Sequence, residues 1–592
     1  MTATQAQAPR AATNIASRIL EWTAATPERT ALVVPTRWRE HAVTAEEVVT
    51  YGDLGRRVAA FGDGLARHGI GRGDRVVLLF PVSVDLFALA LATLASGAVL
   101  TFVDTSMRPG RIRAALRSAR PAAIVTVARM LRLGAFVPEV GSIPLKVSVD
   151  AAVRGAVALD DLRGDPGAAV DIAAVSAHDE ALVTFTSGST GRPKGADRNH
   201  GVLAGQLDAV MAAFPGSGDD VDLAVQPIGA LADLAVGATC LLAPMDYRDP
   251  ASLDAAVALD YMNRWGVTRL GAAPHFLDSI EARARESATK VPTLRYVFSG
   301  GAPVAPELCA RILGTFPDTE GIVAYAATEA EPIATCSFAE LVASTGTDAD
   351  TGGYLVGRPV PEVRIVLAGL PDGLERLGPD GFAPYSTGPG EVGEVVVSGP
   401  QVVTRYVDAD AAARATKIRD DDGAVWHRTG DLGRMRPDGN LELVGRTADV
   451  VHTATAAVLP YPVEREVTAN PGVAWAALVA HAARPTGELL VVAAPAATAH
   501  AAVAAAAAVL ARHEVTGVDV VAVPTLELDT RHLSKLDRPE IRRTRVAQHL
   551  AAVLGLGRVP GAVRLARLLP DKSTARLVSR LERTTSARGG RR

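Results

Sequence analysis

Several things are scarce in this sequence, and each shortage excludes something. Three cysteines, Cys240, Cys309 and Cys336, are spread over 592 residues. They are odd in number, far apart and without paired metal-ligand spacing, which predicts a reducing compartment, no disulfide framework and no structural zinc cluster. An excess of either charge is also missing: 61 Lys/Arg face 65 Asp/Glu, a formal net charge of −4. Nothing in that balance draws the chain toward nucleic acid or an anionic membrane. Aromatic residues make up only 4%, with 12 Phe and 5 Trp, a side effect of the Ala- and Arg-heavy composition. The polar stretch Met1–Arg10 lacks the apolar core of a signal peptide. One long uncharged run exists, the 18 residues Leu86–Val103, at the lower limit for a membrane span. Gly97 divides it into a helix-like and a β-like half, so it reads as a buried helix and strand. The expectation is a cytoplasmic protein with no integral membrane association.

What is present describes a globular chain, with 48% hydrophobic and 21% charged residues. The 54 glycines and 37 prolines are too few for a collagen-like or low-complexity class. At roughly 150 residues per domain, the length allows about four domain-sized units or one large multi-domain enzyme. From residue 75, short β-rich runs alternate with longer amphipathic or apolar stretches: Arg75–Phe80, Ala98–Val103 and Ala122–Val127 as strands, Val84–Ala95 and Arg111–Ser118 as helices. That alternation predicts βαβ units with buried parallel sheets. Past residue 350 the texture changes to short β segments (Val363–Leu367, Glu391–Val397, Leu441–Val444) separated by Gly, Pro and Asp turns, predicting an antiparallel or barrel-like subdomain. An α+β unit follows, from about Arg446 to residue 555, with the Ala-rich helix His500–Arg512. The last stretch, Asp571–Arg592, carries seven Lys/Arg against two acids and reads as a frayed helix and basic tail.

The most informative string is Thr186-Ser-Gly-Ser-Thr-Gly-Arg-Pro-Lys-Gly195, directly after the strand-like Ala181–Phe185. Glycines let backbone N–H groups approach closely, the hydroxyls of Thr186, Ser187, Ser189 and Thr190 donate to oxygens, and Lys194 supplies positive charge. Such a loop wraps a polyphosphate. It is not the common P-loop, because no Ser or Thr follows the lysine and Pro193 precedes it.

This string resembles the phosphate loop of the adenylate-forming superfamily: acyl-CoA synthetases, peptide-synthetase adenylation domains and luciferases. The resemblance spans roughly residues 14 to 545, with further motifs in order. Ser299-Gly-Gly-Ala-Pro303 looks like the adenine-binding turn, giving Gly300, Gly301, Ala302 and Pro303. Tyr325-Ala-Ala-Thr-Glu329 resembles the aromatic–x–x–Thr–Glu segment. Trp426-His-Arg-Thr-Gly-Asp431 matches the Thr-Gly-Asp segment, Gly445-Arg446 the start of the inter-domain hinge, and Lys535 the mobile catalytic lysine. The resemblance implies an α/β fold: a large N-terminal domain of βαβ-type sheets with a β-barrel-like subdomain (1–446), a small mobile α+β C-terminal domain (447–555) and the basic tail (556–592). It implies ATP and Mg²⁺ as cofactors and a small-molecule carboxylic acid as substrate.

Physical roles follow for these residues. Gly188 and Gly191 join the other loop residues around the phosphates. Tyr325 offers a flat face for adenine, and Asp431 can accept from the ribose hydroxyls. Thr328 can donate to the α-phosphate, and Glu329 is a hard oxygen ligand for Mg²⁺. Lys535 meets charge developing on the α-phosphate as pyrophosphate leaves. Singly, a Tyr in a strand or an Asp before a turn is usually structural; the ordered set points to adenylation.

Two features bear on the second step. Residues 446–460 contain no glycine, Ala448 stands at the expected hinge position beside Asp449, and His452 replaces the lysine of many thioester-forming relatives. A backbone lying close to a pantetheine arm usually needs glycine. Then Leu528-Asp-Thr-Arg-His-Leu-Ser-Lys-Leu-Asp-Arg538 is similar to olefin β-lactone synthetases, as are Asn14-Ile-Ala-Ser, Gly357-Arg-Pro-Val-Pro361 and Lys417-Ile-Arg-Asp leading to Trp426. In that branch the 3-hydroxyl of the acid attacks its own acyl-adenylate. The expected activity is therefore β-lactone formation from a 3-hydroxy acid, with acyl transfer to coenzyme A, a carrier protein or an amine as the alternative. His452 and His532 are candidate bases, although a structural role is the commoner one for each. Two departures from the resembled pattern stand out: Ala326 replaces the usual glycine, which predicts a narrower acyl pocket, and Glu331 adds a carboxylate beside Glu329, expected to be a solvated neighbour.

Overall fold

The computed structural model describes residues 14–39, 42–103, 107, 109–134, 136–186, 193–346, 352–408, 416–481, 486–529 and 533–553. Among these, an eight-stranded and a fourteen-stranded sheet form the large N-terminal part. The fold is the expected mixed α/β arrangement, with a smaller C-terminal unit beyond the large sheets.

The eight-stranded sheet contains the βαβ series read from the sequence. Strand Arg75–Leu79 pairs in parallel with both Val99–Val103 and Ala123–Thr126. The intervening helix Val84–Ala95 starts where Ser83 accepts a hydrogen bond from the Leu86 N–H and places Asp85 in its first turn. It is apolar all round because it is buried all round, and the hydroxyl of its one polar inner residue, Thr93, donates to the Leu89 carbonyl at 2.8 Å. Gly97, at φ +72°, makes the turn into the next strand. The uncharged run is thus a helix and a strand, and no helix among the described residues is long and apolar enough to cross a membrane.

The larger sheet has a parallel centre, through Val221–Ala224, Arg269–Gly271, Tyr296–Gly300 and Glu320–Ala327. It turns antiparallel at Ala330–Ser337. The turn-rich strands past residue 350, among them Tyr354–Pro359, Gly393–Ser398, Val425–Met435 and Leu441–Arg446, are antiparallel as their texture predicts. They join the parallel strands by way of Ala330–Ser337, through Ala334↔Pro359 and Thr335↔Arg358, so one continuous sheet carries both textures.

That sheet's strand ends at Arg446, and Thr447–Asp449 forms a short 3-10 turn. Beyond it a three-stranded sheet, Val473–Ala480, Gly487–Ala493 and Val518–Ala522, packs against helices Pro460–Thr468 and Ala499–Arg512 around Val467, Leu478 and Leu489. Arg538, 6% exposed, joins this unit together: its guanidinium donates to Glu464 at 2.6 Å and to the Leu478 carbonyl at 2.9 Å, and lies 3.3 Å from Asp449. Removing one partner of a buried pair leaves the other charge uncompensated. Arg538→Ala is therefore expected to destabilise the C-terminal unit by about 3–5 kcal/mol. Denaturant unfolding followed by Trp475 fluorescence checks this, and an unshifted midpoint would reject it. The basic tail 556–592 lies outside the described residues.

Candidate active site

A cleft of about 2530 Å³ opens at the C-terminal ends of the parallel strands and is bounded on one side by the small unit. Thr186 closes the strand Glu180–Thr186 and pairs with Lys194, the first residue of the next strand. Ser187, Gly188, Ser189, Thr190 and Gly191 lie outside the described residues. Lys194 lines the cleft, where burial lowers its pKa and the charge of Glu329 works against that shift. Gly300 to Pro303 line the cleft beyond strand Tyr296–Gly300. A Cβ at Gly300 would stand 2.7 Å from the Ala324 carbonyl oxygen, so the turn needs glycine there. Ala326 lines the same wall.

Tyr325, Asp431 and Arg446 meet. The Tyr325 hydroxyl donates to Asp431 Oδ2 at 2.7 Å, and Arg446 Nε donates to Asp431 Oδ1 at 2.7 Å. Asp431 and Arg446 are register partners on adjacent strands, which places them side by side. Burial and the Asp431 charge push the Tyr325 hydroxyl far above its usual range, so it remains a neutral donor. A carboxylate offers about four lone-pair sites, so Asp431 keeps one acceptor position on each oxygen for an incoming diol.

Glu329 forms a second centre. Its Oε1 accepts from the Tyr406 hydroxyl at 2.9 Å, and its carbonyl accepts from the Val403 N–H at 2.8 Å. Arg198 Nε donates to the Thr328 carbonyl at 3.2 Å, fixing the preceding residue. Lys194 and Lys417 both approach the Tyr406 ring, their ammonium nitrogens 5.7 and 5.2 Å from its centroid. Burial works to raise the Glu329 pKa, but nearby positive charge and the Tyr406 hydrogen bond hold it below the usual carboxylate range. Burial pushes His427 down to about 3, so the imidazole is uncharged at neutral pH. Burial likewise brings Lys417 down to about 7. Tyr406, Lys417 and His427 were not singled out as site residues by the sequence. Lys417 and His427 are brought together by strand register, which a motif search does not see.

Glu331 is exposed and lines the cleft. Lys535 lines the cleft. Its segment closes on itself through the Asp529 N–H to the Lys535 carbonyl at 2.7 Å, and docks on the large part where the His275 N–H donates to Ser534 Oγ at 2.8 Å. His452 is exposed on the hairpin Val451–His452/Ala457–Val458 and does not line the cleft. Its neighbour Val451 is buried, and successive strand residues face opposite ways. Asp449 does line the cleft, held by Arg538 and Arg542 at 3.3 and 3.1 Å. His532 lies outside the described residues.

The Tyr325–Asp431–Arg446 cluster, the half-buried Glu329 and Lys535 of the smaller unit thus line one cleft at the C-terminal edge of a parallel sheet. A family model described as AMP-binding enzyme matches residues 19–407, and the chain belongs to that family as an AMP-forming ligase. It is 33% identical over 487 residues to an olefin beta-lactone synthetase of Xanthomonas campestris pv. campestris, covering 79% of this chain and 84% of the relative. It is 32% identical over 484 residues to an olefin beta-lactone synthetase of Stenotrophomonas maltophilia, covering 79% and 85%. Among solved structures, the amide bond synthetase McbA from Marinactinospora thermotolerans aligns over 90% of this chain and 99% of its own, with a TM-score of 0.72 and 22% identity, a likeness of fold.

Proposed function

We propose that the protein uses ATP to adenylate a 3-hydroxy carboxylic acid and then closes the acyl-adenylate to a β-lactone, releasing AMP and pyrophosphate. The observation that carries this reading is the identity to two olefin beta-lactone synthetases over 79% of the chain, together with the Asp529-x-Arg531-His532-x-x-Lys535 segment that sets the catalytic lysine.

In the first step the acid's carboxylate oxygen bonds to the α-phosphorus and the bond to pyrophosphate breaks. Tyr325 and the Gly300–Pro303 turn flank the adenine, and Asp431 takes the ribose hydroxyls on its two remaining acceptor sites. The Thr328 hydroxyl and the Lys535 ammonium act on the α-phosphate oxygens, where charge is greatest in the transition state. Glu329, held ionised by its surroundings, suits a divalent ion. No group of three His, Cys, Asp or Glu side chains among the described residues could hold a metal alone, so Mg²⁺ would share Glu329 with phosphate oxygens and water and neutralise phosphate charge. In the second step the 3-hydroxyl oxygen bonds to the acyl carbon, the acyl–phosphate C–O bond breaks, AMP leaves and the hydroxyl proton is released. The nucleophile is already attached, so proximity is built in and no second-substrate tunnel is required. The glycine-free 446–460 segment, with Asp449 held by two arginines, agrees with that economy.

The test is product analysis by mass spectrometry and NMR with ATP, Mg²⁺ and a panel of 3-hydroxy acids and their deoxy analogues, without thiol. The expected result is a dehydrated product with lactone ring protons, formed from hydroxy acids only and matched by AMP. Acyl-adenylate accumulating without lactone would instead favour transfer to coenzyme A, a carrier protein or an amine.

A further inference from the structure

The strand Lys194–Asn199 turns alternate residues to opposite sides. Asp197 lies on the side away from the cleft and pairs with Arg405, whereas Lys194 and Arg198 both line the cleft. At about 3.3 Å per residue, the Arg198 backbone stands roughly 13 Å along the strand from that of Lys194. Arg198 is 8% exposed. Its Nε donates to the Thr328 carbonyl at 3.2 Å, the one hydrogen bond that the guanidinium makes among the described residues. No carboxylate among them forms an ion pair with it. Burial lowers its pKa, and the charges of Glu331 and Glu329 oppose that shift from beyond contact. The two Nη groups therefore have no partner, and neither belongs to the polar atoms enclosed without one, so both keep surface open to the cleft.

A guanidinium stays charged at any working pH, and holding a charge nine-tenths buried without a counter-ion is costly. Such a group is matched by an anion that arrives with the reaction. The phosphates of ATP are already met, in the reaction proposed above, by Lys194, Lys535 and a divalent ion at Glu329. The acid also enters with a negative charge, and none of those groups is assigned to it. Arg198 holds the carbonyl of Thr328, the residue whose hydroxyl serves the α-phosphate, and the attacking carboxylate has to touch the α-phosphorus. The guanidinium thus stands next to the place where the carboxylate must lie. Its two Nη groups form a planar fork that suits a carboxylate's geometry.

We infer that Arg198 is a catalytic residue that holds the reacting carboxyl group of the acid through both steps. This rests on the reaction proposed above. In adenylation one carboxylate oxygen bonds to phosphorus while the other stays on the Nη groups, which orients the attack. In ring closure the 3-hydroxyl oxygen bonds to the acyl carbon, the carbonyl π pair moves onto the oxygen held by Arg198, and the hydroxyl proton passes to solvent. The pair returns as the acyl–phosphate C–O bond breaks and AMP leaves with the bonding electrons. Donors already in place where that oxygen gains charge lower the barrier to closure.

The experiment compares the wild-type protein with Arg198→Met, which keeps a long apolar stem and removes the donors. Pyrophosphate release is measured at varied acid and at varied ATP, and acyl-adenylate and lactone are followed in a single turnover. Arg198→Met is expected to raise the KM of the acid roughly 10- to 100-fold and to leave that of ATP nearly unchanged. Ring closure is expected to slow by about 10²–10³-fold, so that acyl-adenylate accumulates. KM values and the adenylate-to-lactone ratio do not depend on how much of a sample is folded. Arg198→Lys, which keeps one charged donor, is expected to fall between the two and supplies the comparison where the methionine variant yields no folded protein. A rise confined to the KM of ATP would place the guanidinium on the phosphates and overturn the inference. Unchanged KM values with unchanged closure overturn it as well, and a raised acid KM with closure at the wild-type rate overturns its second step. Absence of pyrophosphate with every acid in the wild-type protein overturns the proposed reaction, and this inference with it.

Discussion

Lys535→Ala is expected to slow pyrophosphate release by about 10²–10³-fold while leaving the KM of the acid within a few-fold of its original value. The reason is where the charge appears. Before reaction the α-phosphate already carries its negative charge and other groups serve it. As the carboxylate attacks and pyrophosphate departs, additional charge must be met at once by a group already in place. The segment that carries the lysine is held among other contacts by the Asp529 N–H to the Lys535 carbonyl and by the His275 N–H to Ser534 Oγ, and neither of these passes through the ammonium group that the substitution removes. Stopped-flow or coupled pyrophosphate assays measure the step directly. Unaltered release would remove Lys535 from the adenylation step.

Asp431→Asn is expected to raise the KM for ATP about 10- to 100-fold and to leave the KM of the acid nearly unchanged. The carboxylate accepts from Tyr325 and Arg446 at 2.7 Å each and has acceptor capacity left for two ribose hydroxyls. An amide offers one acceptor atom instead of two and turns an NH₂ toward a donor. It also leaves the Arg446 guanidinium, whose pKa the Asp431 charge raises, without its counter-charge. Initial rates at varied ATP and fixed acid separate the effect from a general loss of activity. A change confined to the acid's KM would contradict the assigned role.

The parts of this molecule legible in its sequence are those whose causes are local. Period-two and period-3.6 patterning gave the strand–helix series from Arg75 to Val127, and Gly97 marked the turn within the uncharged run. The phosphate strand, the Tyr325–Glu329 segment and the Thr429-Gly-Asp431 segment were visible because their residues are consecutive. Other features depend on sheet register. Lys417 stands beside His427, and Asp222 beside Arg269, only because of how the strands align. A charged residue inside a short apolar strand, as Asp222 is in Val221–Ala224, does signal a buried partner, but it does not say which one. His452 shows the reverse case. Its position in the chain recommended it, and the alternation of the hairpin turns it outward.

The bond between Asp431 and Arg446 joins two regions that are otherwise separate in duty. One partner is the residue proposed above to bind the ribose; the other is the last residue of the strand from which the small unit hangs. Thermodynamic reciprocity then applies. If occupancy of the ribose site alters how firmly Asp431 holds Arg446, the orientation of the small unit alters nucleotide affinity by the same free energy. Release of AMP and repositioning of the lysine-bearing unit would then be two readings of one equilibrium, to which the guanidinium–carboxylate contact contributes.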